Sequence, residues 1–251
     1  MARAAVILAA GQGTRMKSDL PKVLHTVDGV PMVRYVIDTV HNAGIERVVI
    51  IVGYKAERVR EACVVHDTGD DNSVEFALQS EQLGTGHAVM QAKEALDGFD
   101  GTLVILNGDV PGLRASTLTQ FVEEHDASGA TATVMTARLD NPAGYGRIVR
   151  GEDGSLLRIV EHKDGTDDER AIDEINSGLF CFDASSLFSA LGRAGRDNVQ
   201  NEYYLTDAIE TLRNDGLPVA AWCVKDSREV AGVNTVDELE SIRQFLKDGQ
   251  G

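Results

Sequence analysis

The chain has 251 residues, of which 43% are hydrophobic and 25% charged, as is usual for a soluble globular protein with a sizeable core. Its 40 acidic and 24 basic residues give a net charge of −16, which argues against nucleic acid or an anionic membrane surface as the main partner. Cys63, Cys181 and Cys223 fit no metal-binding or C-x-x-C spacing, so we expect reduced core residues in a cytoplasmic protein. No apolar run approaches the roughly 18 residues of a membrane helix. The apolar stretch Ala4–Ala10 does not lead into a signal-peptide cleavage site, so we expect no signal peptide.

Short apolar runs alternate with amphipathic stretches through the first half of the chain. The runs predict strands at Ala4–Ala9, Arg47–Val52, Val74–Leu78, Thr102–Leu106 and Ala130–Ala137. The stretches between them predict helices at Pro31–Ala43, Ala56–Val64, Gly86–Leu96 and Ser116–Ala127. Pro31 suits the first turn of a helix, and Gly44 suits the position after its end. This order predicts a parallel sheet with helices on both faces, whose ligand lies at the carboxyl ends of the strands.

In the second half of the chain the predicted elements are shorter and alternate less regularly. Its patterns predict strands at Arg147–Val149, Leu156–Val160, Ile172–Phe182 and Val219–Val224, helices at Ala184–Leu191 and Leu205–Asn214, and an acidic loop at Asp164–Arg170. We predict that these elements add to the edge of the sheet and form the second wall of one cleft. A last helix is predicted at Thr235–Leu246, with Thr235 as N-cap and Glu238 in the capping-box position.

Residues 9–22 read AAGQGTRMKSDLPK and directly follow the first predicted strand. A Rossmann fingerprint would need a glycine where Met16 stands and a carboxylate at the end of the second strand, where there is none. A Walker A loop also needs that glycine, because a methionine side chain obstructs the wrap around a phosphate. The small residues Ala9–Gly11 would let a base and ribose approach closely, while Arg15 and Lys22 bring two cations to a triphosphate. A plain strand-to-helix turn with solvated basic residues is the alternative.

The loop and seven further strings resemble one family, the sugar-1-phosphate nucleotidyltransferases. The similarity is closest to the uridyltransferase domain of bacterial bifunctional N-acetylglucosamine-1-phosphate uridyltransferases. The strings together cover the chain from Leu8 to Asn234; they are QSEQLGTGHA at 79–88, NGDVP at 107–111, GYGRI at 144–148, IVEHK at 159–163, EINSG at 174–178, NEYYLTD at 201–207 and GVN at 232–234.

The resemblance implies an α/β fold with a Rossmann-like, mostly parallel sheet, helices on both faces and an added sugar-binding lobe. It also implies transfer of UMP from UTP to N-acetyl-α-D-glucosamine 1-phosphate, with Mg²⁺ as cofactor and UDP-N-acetylglucosamine, a cell-envelope precursor, as product. Carried over position by position, it assigns catalysis to Arg15 and Lys22; nucleotide binding to Leu8, Ala9, Ala10, Gly11, Gln79, Gly84, Thr85, Asn107 and Gly108; sugar binding to Gly146, Glu161 and Asn176; and the metal to Asp109 and Asn234.

Each of these assignments has a plainer structural alternative. Asp109 follows an apolar strand and suits a Mg²⁺ ligand, but a Gly-Asp pair in that place is often only a turn. Gln79 and the backbone at Gly84 could read the imide edge of uracil, or they could belong to a polar loop in which Thr85 caps the next helix. Glu161 could accept from sugar hydroxyls, or it could join the basic residues after it in a surface charge cluster. His87 is expected to cap or pack near the cleft rather than to act as a catalytic base. The pair Tyr203-Tyr204 is expected to pack the second half of the chain rather than to touch substrate.

The sequence departs from the family in two respects. Asn107 stands where an aromatic residue usually precedes Gly-Asp, so any ring stacking there is lost. Family enzymes also continue into a left-handed β-helix that acetylates glucosamine 1-phosphate, and this sequence has no hexapeptide repeat. We expect a nucleotidyltransferase domain at 1–234 and a helix that begins a linker at 235–251, in a truncated or stand-alone uridyltransferase. Because the family trimerises mainly through the β-helix, a monomer or weak homo-oligomer is expected.

Three rival functions remain open at this point. The same chemistry could act on another sugar phosphate such as glucose 1-phosphate, because Glu161 and Asn176 do not decide between an N-acetyl group and a hydroxyl. A sensing module could bind the nucleotide sugar without turnover, although the basic pair Arg15 and Lys22 argues against it. A P-loop hydrolase is a more distant alternative.

Overall fold

The computed structural model describes residues 1–64 and 74–248. Its strands are β1 Arg3–Ala9, β2 Thr26–Val27, β3 Val30–Pro31, β4 Arg47–Val52, β5 Val74–Leu78, β6 Thr102–Asn107, β7 Ala132–Arg138, β8 Arg147–Arg150, β9 Leu156–Val160, β10 Glu174–Asp183 and β11 Val219–Cys223. Its α-helices are α1 Met32–Asn42, α2 Ala56–Cys63, α3 Thr85–Met90, α4 Ala115–Ser128, α5 Asp167–Arg170, α6 Ala184–Leu191, α7 Asp207–Asn214 and α8 Val236–Asp248.

One large sheet organises the chain. Its strands follow the order β11-β7-β10-β6-β1-β4-β5, and β8 and β9 form an arm that pairs with β10. The strands β5, β4, β1 and β6 are all parallel, as are β7 and β11. Only β10 runs antiparallel to its neighbours β6 and β7 within this order. The predicted Rossmann-like, mostly parallel sheet is therefore confirmed.

The two faces of the sheet are buried under different helices. Because successive side chains of a strand point to opposite faces, Ile7 and Val6 of β1 enter different clusters. Ile7 packs in the cluster that contains the apolar faces of α1, α2 and α4. Val6 packs in the cluster that contains those of α3, α6 and α7. Burial on both faces explains why β1 reads as a continuous apolar run rather than an alternating one.

Three details of the predicted organisation are wrong. The helix predicted at Gly86–Leu96 ends at Met90 and continues as a series of tight turns. The strand β10 does not join the edge of the sheet, since it inserts between β6 and β7. The acidic loop contains the short helix α5, because Thr166 and Glu169 form a capping box whose side chains bond reciprocally to the backbone.

Two further expectations are also corrected by the structure. Cys63 and Cys181 are buried as predicted, but Cys223 is exposed at the end of the edge strand β11. Pro31 lies just before the first turn of α1 rather than within it. Among the described helices, none combines the length and the apolar character that a membrane crossing requires.

Candidate active site

The candidate site lies at the carboxyl ends of β1 and β6. After β1 the chain continues to β4 on one side of β1, whereas β6 pairs with β1 on its other side. Ligands of open α/β sheets bind at such a switch point in the strand order. Two adjoining cavities of about 360 and 410 Å³ open here. Their shared wall is formed by Leu8, Lys22, Thr85, Asn107 and Asp109.

The smaller cavity brings together most of the predicted nucleotide-binding residues. Ala10, Gly11, Gln79 and Gly84 line it in addition to the shared wall. The buried Gln79 donates from Nε2 to the carbonyl of Gly84 at 3.1 Å, and its Nε2 lies 3.1 Å from Nδ1 of His87. His87 thus supports Gln79 from behind, in keeping with a packing role.

Two predicted nucleotide-binding residues lie behind the cavities rather than on their surface. The side chain of Ala9 is buried in the core beneath β1. Gly108 donates its main-chain N–H to the carbonyl of Leu8 at 2.9 Å, and a β-carbon at position 108 would stand 3.1 Å from that oxygen. These small residues let the ends of β1 and β6 approach each other.

Thr85 links the two halves of the chain and does not cap a helix. Its hydroxyl accepts from the main-chain N–H of Leu205 at 3.1 Å, while Gly84 occupies the position before α3. Gly84 lies against the second half of the chain as well. A β-carbon there would stand 2.9 Å from Cβ of Glu202 and 3.0 Å from the Tyr203 nitrogen, so a side chain would push the two segments apart. The alternative in which Thr85 is a helix cap is therefore wrong.

The loop after β1 places Lys22 against Gly13. Gly13 has φ +72°, and a β-carbon there would lie 3.0 Å from Cγ of Lys22. Thr14–Met16 forms one 3-10 turn, and the side chain of Met16 is buried. Met16 therefore anchors the loop through a buried side chain, at the position where a Walker A motif has its second glycine.

The two predicted metal ligands come together around Lys22. Its ammonium forms an ion pair with the carboxylate of Asp109 and donates to Oδ1 of Asn234 at 2.6 Å. Arg15 donates from Nη2 to the same oxygen at 2.7 Å. The main chain supports this arrangement, because the N–H of Val233 donates to the carbonyl of Asp109 at 3.0 Å.

This oxygen pair suits a magnesium ion better than a transition metal. In the described part of the chain, no group of three or more His, Cys, Asp or Glu side chains could hold a metal. The site offers one carboxylate and one amide oxygen, and Mg²⁺ typically takes only one or two protein ligands beside phosphates and water. Both oxygens already meet a single cationic atom, Nζ of Lys22, so they converge on one point that a cation can occupy.

The larger cavity contains the predicted sugar-binding residues Gly146, Glu161 and Asn176. The carbonyl of Gly146 accepts from the Asn176 nitrogen at 2.9 Å, which pairs the start of β8 with β10. A β-carbon at position 146 would be in ordinary contact with Oε2 of Glu161, 3.5 Å away, so Gly146 and Glu161 are neighbours in this wall.

Glu161 is a cavity residue and not part of a surface charge cluster. Its Oε1 accepts from the hydroxyl of Thr206 at 3.1 Å. Burial raises the pKa of Glu161; the bond from Thr206 opposes this shift, while the nearby carboxylates of Asp164, Asp207 and Glu202 add to it. Of the pair Tyr203-Tyr204, Tyr204 is buried in the second half of the chain, as predicted. The Tyr204 hydroxyl donates to Oδ2 of Asp164 at 3.1 Å.

Several residues that line the larger cavity escaped prediction, among them Tyr145, Thr206 and Glu238, whose side chains are polar. Tyr145 and Thr206 lie inside strings that carry the family resemblance, so their position next to predicted residues was the available signal. Glu238 was predicted only as a capping residue, and nothing in the sequence shows that the start of α8 reaches the cavity.

A family model described as "Nucleotidyl transferase" matches residues 4–234. The chain belongs to the nucleotidyl transferase family. This match includes every predicted site residue. The chain is also 50% identical over 244 residues to the "Bifunctional protein GlmU" of Geobacter metallireducens (strain ATCC 53774 / DSM 7210 / GS-15), covering 97% of this chain and 50% of that protein. It is 50% identical over 246 residues to the protein of the same name from Bacillus mycoides (strain KBAB4), covering 98% and 52%.

The nucleotidyl transferase chain spans about half the length of these curated relatives. Among solved structures, it superposes with a TM-score of 0.78 on a UDP-glucose pyrophosphorylase complexed with UDP-glucose, covering 99% of this chain and 100% of the other. Sequence identity to that structure is 19%, so the likeness confirms the fold alone.

Proposed function

We propose that this chain transfers UMP from UTP to N-acetyl-α-D-glucosamine 1-phosphate and releases pyrophosphate. The observation that carries the proposal is the meeting of two cavities at Asp109 and Lys22, where Lys22 also bonds to Asn234 in the wall of the larger cavity. A nucleotide bound in one cavity and a sugar phosphate in the other would bring their phosphates to this cluster. The identity with the bifunctional GlmU proteins, half of whose length the chain spans, supports the same choice of substrates.

The reaction is a displacement at the α-phosphorus of UTP. An oxygen of the sugar phosphate forms the new P–O bond, and the bond to the pyrophosphate oxygen breaks, so pyrophosphate leaves with the electron pair. The attacking phosphate is largely ionised at pH 7, so no side chain has to remove a proton. Catalysis then consists of positioning and of neutralising the negative charge around the phosphorus.

The side chains divide this work by their position. Lys22 lies at the junction of the cavities and Arg15 beside it in the larger one, and the two cations would bind the leaving pyrophosphate and the crowded phosphorus centre. Asp109 and Asn234 would hold Mg²⁺, which supplies charge neutralisation between the two phosphates when bound.

The two cavities account for recognition of the base and of the sugar. Gln79 and the backbone at Ala10 and Gly84 would read the uracil edge, whose imide offers both a donor and acceptors. Glu161 and Asn176 would bind the hydroxyls and the acetamido group of the sugar. The product would be a precursor of the cell envelope, made in the cytoplasm by a monomer or weak homo-oligomer.

A direct test is release of pyrophosphate by the purified chain with UTP and Mg²⁺, using N-acetylglucosamine 1-phosphate and glucose 1-phosphate in separate reactions. We expect turnover with the first, and a loss of at least about 100-fold for Asp109→Ala, the scale of a removed electrostatic stabiliser. The matched control is Asp140→Ala, at an exposed position outside both cavities. Turnover with glucose 1-phosphate alone would replace the sugar assignment. Binding of UDP-N-acetylglucosamine with no turnover would show a sensing module instead.

A further inference from the structure

The start of helix α8 holds the main chain of the metal ligand Asn234. Glu238 accepts through Oε2 from the N–H of Asn234 at 2.6 Å and from the N–H of Thr235 at 3.0 Å. In return, Glu238 donates its own N–H to the hydroxyl of Thr235 at 3.2 Å, which completes a capping box. In a usual capping box the glutamate accepts only from the N–H of the N-cap residue, here Thr235. Glu238 accepts in addition from the N–H of Asn234, the residue before the N-cap.

The segment that carries Asn234 is thereby fixed on both sides. On one side the N–H of Val233 is bonded to the carbonyl of Asp109, and the side chain of Val233 is buried with Ile242 and Phe245 of α8. On the other side the N–H of Asn234 itself is bonded to Glu238. The amide ligand Asn234 is therefore held between the carboxylate ligand Asp109 on one side and α8 on the other.

We propose that Glu238 is a positioning residue, which fixes the backbone of Asn234 so that its amide oxygen meets the Asp109 carboxylate at one cation site. This inference rests on the proposed function for the role of the metal, although its geometry does not depend on which sugar is used. Charge-assisted bonds from backbone N–H groups to a carboxylate are short and strong, which suits this role. Partners that orient metal ligands typically contribute about 10–100-fold to metal affinity.

The choice of variants separates position from charge. Both bonds end on a single oxygen, so the carbonyl of a glutamine can accept them and Glu238→Gln should keep the backbone in place. Glu238→Ala removes the acceptor.

Thr166→Ala and Thr235→Ala form a matched pair, because each removes the N-cap hydroxyl of a capping box, and only Thr235 adjoins Asn234. Both should lower Tm by a few degrees, on the order of one lost cap.

Two measurements on the whole chain test the proposal without turnover. Titration of Mn²⁺ into the protein, followed by electron paramagnetic resonance, should show a Kd raised by about tenfold in Glu238→Ala and by less than about threefold in Glu238→Gln. Hydrogen exchange in the absence of metal should be faster at Asn234 and Thr235 in Glu238→Ala. Thr166→Ala should change neither.

Turnover adds a third measurement and separates this proposal from the function. Glu238→Ala should need about tenfold more Mg²⁺ for half-maximal pyrophosphate release and should recover kcat at saturating Mg²⁺. If the wild-type chain turns over while Glu238→Ala keeps its Mn²⁺ affinity, the positioning role is overturned and the function stands. If the wild-type chain is inactive with both sugar phosphates while Mn²⁺ affinity responds as expected, the function fails and the positioning role stands. Equal losses in Glu238→Gln and Glu238→Ala would show that charge, not position, matters, and would overturn the proposal.

Discussion

The side-chain amide nitrogen of Asn107 occupies the space that a β-carbon on Gly178 would need. Gly178 has φ +81° and lies in an irregularity of β10, where its register with β7 shifts between Asn176 and Leu179. The hydroxyl of Ser177 stabilises this bulge, since it donates to the carbonyl of Met135 at 2.7 Å and accepts from the Leu179 nitrogen at 3.2 Å. The bulge therefore makes room for Asn107 in the wall that both cavities share.

Gly178→Ala should disturb the site as well as the fold. The left-handed backbone costs an alanine roughly 1–2 kcal/mol of unfolding free energy, and the contact with Asn107 adds to that cost. Gly216→Ala is the matched control, because it has φ +78° and no atom within 4 Å of an added β-carbon. Urea unfolding and KM for both substrates would be measured. We expect both variants to lose stability and only Gly178→Ala to show raised KM values; equal KM values would mean that the position of Asn107 does not matter for binding.

Lys22 competes for the two oxygens that would hold Mg²⁺. Because its ammonium contacts both Asp109 and Asn234, a metal ion can bind there only after that ammonium moves. Lys22→Met should therefore bind Mn²⁺ more tightly than the wild-type chain, while turnover falls by about 100-fold or more through loss of a cation at the phosphates. Lys17→Met, in the same loop and exposed, is the control for both readouts. Weaker Mn²⁺ binding in Lys22→Met would show that the lysine orients the ligands instead of competing with the metal.

The parallel centre of the sheet could be predicted from the sequence, and the placement of β10 could not. The strands β1, β4 and β6 are apolar runs buried on both faces, so their bounds came out within one or two residues. The insertion of β10 between β6 and β7 depends on packing between segments far apart in the chain, which no local pattern encodes. The hairpin of β2 and β3 was missed although Asp28 and Gly29, both with positive φ, are a typical signal for such a turn.

The candidate site likewise has residues that the sequence predicted and contacts that it did not. The motif residues could be assigned because each string resembles a string of the family, and a resemblance of this kind is carried by short local segments. The link between Glu238 and Asn234 was not predicted, because the capping box explains the sequence pattern completely without it. Likewise, the contact of Gly13 with Lys22 becomes visible in three dimensions alone.

Asp207 should make the stability of the chain depend on pH. Burial, with Glu210 and Asp164 nearby, raises the pKa of Asp207 to about 6. The folded chain then binds a proton that the unfolded chain has released, in the window between the unfolded pKa of about 3.9 and pH 6. The stabilising contribution is complete below that window and is lost as the pH rises through about 6.

Asp207→Asn would remove this dependence. We expect its free energy of unfolding at pH 7.5 to exceed that of the wild-type chain by about 1 kcal/mol, a value reduced for partial exposure, and to match it near pH 4. Urea unfolding at several pH values is the measurement. Asp237→Asn, at an exposed carboxylate in the first turn of α8, is the control and should leave the pH dependence unchanged. A gain of the same size at both pH values would point to a cause other than titration.

Glu161 should make sugar binding depend on pH in the opposite direction. Burial and the neighbouring carboxylates raise the pKa of Glu161, so as the pH falls its carboxylate is lost before that of an ordinary glutamate. A protonated carboxyl accepts hydrogen bonds less well from sugar hydroxyls. The KM for N-acetylglucosamine 1-phosphate should therefore rise as the pH falls through this pKa, with UTP held at saturation.

Two variants isolate the contribution of Glu161 from the ionisation of the sugar phosphate itself, whose second pKa lies near 6. Glu161→Gln should have a high KM at every pH and keep only the dependence that the substrate contributes. Thr206→Val removes the hydrogen bond that lowers the pKa of Glu161, so the rise in KM should begin at a higher pH than in the wild-type chain. Glu169→Gln, at a capping residue of α5, should follow the wild-type profile. If Glu161→Gln retains the full wild-type pH dependence, then the group that controls sugar binding lies elsewhere, and the shift in Thr206→Val should be absent as well.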